Sequence, residues 1–170
     1  MARRSVPFDY TRRGYRCNLD TDERFLVRRL IGEVRELLTG NLPDDPKMRR
    51  LFPPAYLDEA ESEAQSDYQK YMHDELVASR LDCIMRVETF LADEQNASIT
   101  AEDLDAFASA LNGVRLVLGT LLGINDGDDD EIDPDNAGIH INEMNLYNYL
   151  SWLLESAISA RMKGWEQKSQ

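Results

Sequence analysis

The chain is poor in the residues that most catalytic and metal chemistry needs. Its two cysteines, Cys17 and Cys83, stand 66 positions apart, too few for a disulfide framework and without the CxxC spacing of a zinc site. It has two histidines, His73 and His140, and neither follows a Glu by three positions, since Lys70 and Ala137 stand there. That departs from the Glu-x-x-His pattern of di-iron helical bundles. No Ser or Cys lies in a nucleophile elbow or a paired nucleophile motif. No uninterrupted apolar stretch approaches the roughly 18 residues that a membrane span requires, and the N-terminus has no apolar signal segment. The expectation is a soluble, cytoplasmic protein with no membrane association. Basic residues are also scarce, 19 Lys or Arg against 32 Asp or Glu, for a net charge of −13. Such a balance disfavours broad affinity for nucleic acid or anionic lipid, because binding to phosphates depends on basic surface that displaces counterions.

What is present points to one helical domain over 170 residues with 42% apolar content, enough for a single buried core. Phe8 to Thr11 and Tyr15 to Leu19 read as two short extended runs around Arg12-Arg13-Gly14, a small N-terminal hairpin. Asp20 or Thr21 can cap a first helix with Leu26, Leu30, Val34, Leu37 and Leu38 inward, and Gly40 ends it. Residues 41–54 hold four of the six prolines and are expected to be irregular, with Leu51 and Phe52 pinning them to the core. From Asp58 to Glu94 there is neither Gly nor Pro, and Tyr68, Met72, Leu76, Leu81, Ile84, Val87 and Leu91 fall near helical spacing, which predicts one long helix or two with a slight break. Thr100 and Asp103 form a capping-box-like start to a third helix with Leu104, Phe107, Leu111, Val114, Leu118 and Leu121 on one stripe, ended by Gly123. A last helix from about Asn142 carries Leu146, Leu150, Leu153, Leu154, Ala157 and Ile158 inward. The fold class is therefore mainly α: a bundle of about four principal helices with a small hairpin. Residues 1–19 form the hairpin and basic arm, 20–166 the bundle, and 125–136 an acidic, mobile loop.

That loop, Asp126-Gly127-Asp128-Asp129-Asp130-Glu131, resembles a calcium loop in composition alone. Aligned to the calcium pattern from Asp126, it places Glu131 where Gly is needed and Ala137 where the bidentate Glu belongs. No metal and no cofactor are expected. His73 is expected on the polar side of its helix beside Asp74 and Glu75, and Cys83 as a small core residue. Arg115, flanked by the strongest apolar stripe, calls for a carboxylate, Glu143 or Glu155, with an anion or substrate clamp as the alternative.

The charge is unevenly placed. Residues 1–50 carry 12 Lys or Arg against 8 acids, and residues 51–170 carry 7 against 24. Two readings stand: the basic third complements the acidic remainder within the fold, or it forms a patch for an acidic protein or a nucleic acid. Arg12, Arg13 and Arg16 are the candidate partner-binding residues. Cys17, next to Arg16, is the candidate redox residue, because a neighbouring cation favours the thiolate. Tyr147, Tyr149, Trp152 and Trp165 make the last helix aromatic, which suits core packing and also a homodimer contact.

Three segments carry a family resemblance: Asp44-Asp45-Pro46 with Arg50-Leu51-Phe52-Pro53-Pro54-Ala55-Tyr56; Leu111-Asn112-Gly113-Val114-Arg115-Leu116-Val117-Leu118-Gly119 with Leu122-Gly123-Ile124; and Tyr147-Asn148-Tyr149-Leu150-Ser151-Trp152-Leu153. In this order they resemble an actinobacterial family of domains of unknown function that includes the actinomycete oxidative stress transcriptional regulator. The resemblance implies a small cytoplasmic regulatory protein of an actinobacterium, without an established active site, from a family whose genes often lie near that of the Clp protease adaptor. The redox branch of that family is linked to closely spaced cysteines acting through a sigma factor of RNA polymerase, and the separation of Cys17 from Cys83 does not carry that switch over. The expected function is a non-enzymatic regulatory or interaction module with a protein partner, RNA polymerase or a sigma factor or the Clp system. Direct DNA binding through the basic third is the alternative.

Overall fold

The computed structural model describes residues 5–40, 45–52, 63–122 and 137–169. Two strands, β1 (Phe8–Thr11) and β2 (Gly14–Cys17), form the expected hairpin, and Gly14 turns it at φ 110°, a backbone angle that favours glycine. They lead into α1 (Thr21–Thr39), α2 (Pro46–Leu51), α3 (Glu63–Ala92), a two-residue strand β3 (Ser98–Ile99), α4 (Ala101–Leu121) and α5 (Ala137–Lys168). The strands make one antiparallel sheet in the order β1-β2-β3, with Tyr15 opposite Ile99 and Arg16 opposite Ser98. The protein is thus mainly helical, four long helices and one short one among the described residues, with a small N-terminal hairpin.

Local chemistry sets the helix starts. Asp20 accepts from Glu23 N at 2.9 Å while Glu23 Oε2 accepts from Asp20 N at 3.1 Å. Thr100 and Asp103 repeat the reciprocal arrangement at 3.1 and 2.8 Å. Each box satisfies two backbone donors that a helix start otherwise leaves open. The proline-rich stretch was expected to be irregular, yet within it Asp45 caps α2 and Pro46 occupies the first turn. Proline is tolerated there, where its missing N–H has no intrahelical partner to lose.

Helix α4 lies at the centre, packed on α1, α2, α3 and α5. By length and composition it is apolar enough to cross a membrane, against the expectation that no stretch comes close. Its Leu104, Phe107, Leu111 and Val114 lie in the core, as befits a helix surrounded by others. On α1 the buried face is Arg24, Val27, Ile31, Val34 and Leu38; Val34 and Leu38 lie inward as read in the sequence, while Leu26, Leu30 and Leu37 are half-buried. In α3, Ile84, Val87 and Leu91 are buried, whereas Tyr68, Met72 and Leu76 are exposed. Ile158 and Leu121, expected inward, are exposed as well. The acidic loop 125–136 lies outside the described residues.

Arg24 is the one buried charged side chain of the described core, 4% exposed. Its Nε donates to Leu19 O at 3.0 Å, and its Nη1 to Phe90 O, Leu91 O and Asp93 O at 3.1, 3.2 and 3.4 Å. Those carbonyls end α3, where the last turn lacks intrahelical donors and the helix dipole is negative. A guanidinium from α1 therefore caps α3 and locks the two helices together.

Candidate interaction site

The hairpin lies along α5. Phe8 N donates to Ser156 Oγ at 3.1 Å, and Phe8 stacks on Phe107 of α4 with ring centroids 4.6 Å apart. Tyr15 passes over Gly164, where an added Cβ would meet Tyr15 Cζ at 2.6 Å. Phe8 near Ser156 and Tyr15 near Gly164 show that β1, whose Tyr10 pairs with Tyr15, runs in the same direction as α5. The Arg12-Arg13 turn follows one strand pair further on, at Thr11 and Gly14.

Arg12, Arg13 and Arg16 are all exposed. Arg16 sits on the outer face of β2, since its neighbours Tyr15 and Cys17 point into the core, and it stands opposite Asp9 of β1. Arg29 pairs with Glu33, Arg35 with Glu88, Arg86 with Asp103 and Arg161 with Asp105, whereas none of the three hairpin arginines pairs with a described carboxylate. The remaining basic residues of the first third are otherwise occupied in part: Arg24 is buried, and Arg49 and Arg50 make contacts within the fold. The basic third is thus not one continuous surface, and the hairpin holds three of its exposed arginines without an ion pair to a described carboxylate, with Arg28 of α1 a fourth.

Cys17 is brought next to Arg16 by sequence but faces the other way, 1% exposed in the core. Burial pushes its thiol above the ordinary cysteine range, opposed by a hydrogen bond from the Leu19 backbone and the Arg24 charge and reinforced by Glu23. The adjacency to Arg16 that suggested an activated thiolate is cancelled by strand alternation, which puts the two side chains on opposite faces. Cys83 is half-buried beside the core, and both cysteines are free thiols.

Arg115 does not meet Glu143 or Glu155. Its Nε donates to Ser151 Oγ at 3.0 Å and its Nη2 to Tyr147 Oη at 3.2 Å, with the guanidinium carbon 5.0 Å from the Tyr147 ring centroid. Because the side chain is half-buried rather than enclosed, hydroxyls and an aromatic face suffice. His73 likewise leaves the polar face expected for it and packs edge-on against Phe52, with centroids 4.9 Å apart. Arg80 shares that ring at 5.2 Å and donates to Leu51 O at 3.2 Å; burial lowers its pKa from the ordinary arginine value.

Two open grooves lie on α5. One, of about 270 Å³, runs between Val6-Pro7-Phe8 and Trp152, Glu155, Ser156, Ser159 and Lys163. The other, of about 330 Å³, is bordered by Asp22, Glu23, Leu26, Leu146 and Tyr149. Arg115 lines neither. Among the described residues no three of His, Cys, Asp and Glu gather into a cluster able to hold a metal ion.

Sequence reasoning missed β3, the capping role of Arg24 and the docking of the hairpin on the far end of the chain. A signal for Arg24 existed: positions 24, 27, 31, 34 and 38 alternate steps of three and four, which places Arg24 on the apolar stripe. No curated protein and no solved structure matches the chain. Residues 4–161 match the family described as Domain of unknown function (DUF2017), and the chain belongs to that family.

Proposed function

We propose that this chain is a non-enzymatic regulatory module that binds an acidic protein partner through the hairpin arginines Arg12, Arg13 and Arg16. The observation that carries this reading is the exposure of three guanidinium groups on one small hairpin with no ion pair to a described carboxylate, in a chain of net charge −13 that has acids to spare. Cations that folding leaves unpaired steer an oppositely charged partner and fix its register. The resemblance to the actinobacterial family of domains of unknown function that includes an oxidative stress transcriptional regulator supports a cytoplasmic role in transcription or the stress response, with RNA polymerase, a sigma factor or a component of the Clp system as the partner class. Direct DNA binding draws less support, since Arg24 is buried and Arg29 and Arg35 pair with Glu33 and Glu88 within the fold.

The test is affinity capture from the host lysate by wild-type protein and by an Arg12→Glu/Arg13→Glu/Arg16→Glu variant, at low and moderate salt. A protein held by wild type, lost with added salt and not held by the variant supports the reading, because exposed ion pairs are screened at a Debye length of about 8 Å in physiological salt. Identical captures by both proteins reject the hairpin as the contact.

A further inference from the structure

The hairpin arginines do not stand alone. Arg161 of α5 lies between two rings, its guanidinium carbon 5.9 Å from the Tyr15 ring centroid and 5.0 Å from that of Trp165. Its Nε and Nη2 grip the two oxygens of Asp105 on α4 at 2.8 and 3.2 Å, and its Nη1 donates to Tyr15 Oη at 3.3 Å. Tyr10 stacks on Tyr15 with centroids 4.9 Å apart. A string of side chains, Tyr10, Tyr15, Arg161 and Trp165, thus joins the hairpin to the last turns of α5. Trp165 is 60% exposed and Met162, on the same helix, 55%. Segments 12–16 and 161–168 together hold six Lys or Arg and one acid, and Arg161 alone of these basic residues is paired with a described carboxylate.

We infer that the partner surface is composite, made of the hairpin turn and the end of α5, with Trp165 as its apolar anchor, and that it fits an acidic protein segment carrying a large apolar side chain. This rests on the interaction role proposed above and specifies its partner. An indole already held by a guanidinium loses little freedom when its other face is covered, and Trp and Arg are enriched among the residues that carry interface energy. The surrounding cations confer attraction for carboxylates. A flexible acidic peptide satisfies both features, while the net charge of −13 repels an extended polyphosphate or an anionic lipid surface beyond the patch itself.

The experiment uses the full chain and two fluorescein-labelled 15-residue peptides of equal negative charge, one with Leu and Phe at its centre and one with Ser in their place. Binding is read by anisotropy. The expected result is at least about tenfold tighter binding of the apolar peptide, a preference that Trp165→Ala abolishes, and loss of both peptides on Arg12→Glu/Arg13→Glu. Thermal melts verify that the variants fold. If the charge reversals weaken binding but the apolar preference is absent or survives Trp165→Ala, the composite surface falls and the hairpin contact stands. If neither substitution matters, or neither peptide binds at millimolar concentration, both readings fall. Tighter binding to duplex DNA, to phosphatidylserine vesicles or to a second copy of the chain overturns the peptide assignment.

Discussion

The Tyr15 hydroxyl rests on the α-carbon of Gly164, so that any side chain at position 164 would occupy the space of the tyrosine ring. The glycine is there for proximity, since it lies within α5 and the close neighbour comes from 149 positions earlier in the chain. Gly164→Ala is expected to lift the hairpin from the helix and to cost about 1–3 kcal/mol, the usual range for overfilling a packed contact. Gly32→Ala is the control: nothing lies within 4 Å of its added methyl, and it sits inside α1, so it should stabilise by about 0.5–1 kcal/mol. Urea denaturation of the pair distinguishes a clash from a general response to alanine.

Arg24 should be the most sensitive polar position. Arg24→Ala leaves the carbonyls of Phe90, Leu91 and Asp93 without this donor. A loss of about 3 kcal/mol or more is expected, since hydrogen bonds from a charged donor contribute about 1.5–3 kcal/mol each. Arg24→Lys should recover only part of this, because one ammonium lacks the planar fork that reaches Leu19 and the α3 terminus together. Equal stability of wild type and the alanine variant in chemical denaturation would refute the capping role.

Cys17 makes a pH prediction. Its folded thiol is raised above the ordinary value of 9.0 by burial, so at high pH the folded chain binds more protons than the unfolded one. Stability from this group is fully present below the unfolded pKa and falls as pH rises through the folded one. Unfolding free energy should therefore decline above about pH 9, and Cys17→Ala should flatten that decline. In the folded protein at neutral pH a thiol reagent should modify the half-buried Cys83 before Cys17, a difference that vanishes in urea.

The Arg161 to Asp105 pair calls for the opposite magnitude. Both side chains are partly in solvent, 21% and 56% exposed, and ion pairs of that kind contribute under about 1 kcal/mol. Asp105→Asn should leave the melting temperature nearly unchanged. It should nonetheless shift the fluorescence of Trp165, because the guanidinium over the indole loses its anchor.

The legible parts of this fold are those whose cause lies within a few residues. A cap at Asp20 or Thr21, the box at Thr100, the proline-free length of α3 and the turn at Gly14 each follow from neighbours in the chain. What sequence reading missed depends on pairing at a distance. The two residues of β3 are a strand only because Tyr15 and Arg16 lie opposite them. Sequence reading put Leu26 and Leu30 inward, whereas the packing of α1 on α3 and α4 buries Val27 and Ile31 and leaves the two leucines half-buried. The candidate site divides in the same way. The charge of Arg12, Arg13 and Arg16 is plain in the sequence. The inward turn of Cys17 follows from strand alternation once a register is known, and the approach of Trp165 to the hairpin required the folded chain.

The contact of Phe8 with Ser156 spans 148 positions, which gives the molecule a timing as well as a shape. A ribosome adding about 5–20 residues per second takes roughly 7–30 s to cover that separation, and until then the α5 side of the surface that receives Phe8 and Tyr15 does not exist, although Phe107 of α4 and Ile99 of β3 are already made. The residues of the hairpin are therefore made first, and their contact with α5 can form only last. During that interval the face of the hairpin that Ser156 and Gly164 cover in the folded chain has no partner helix.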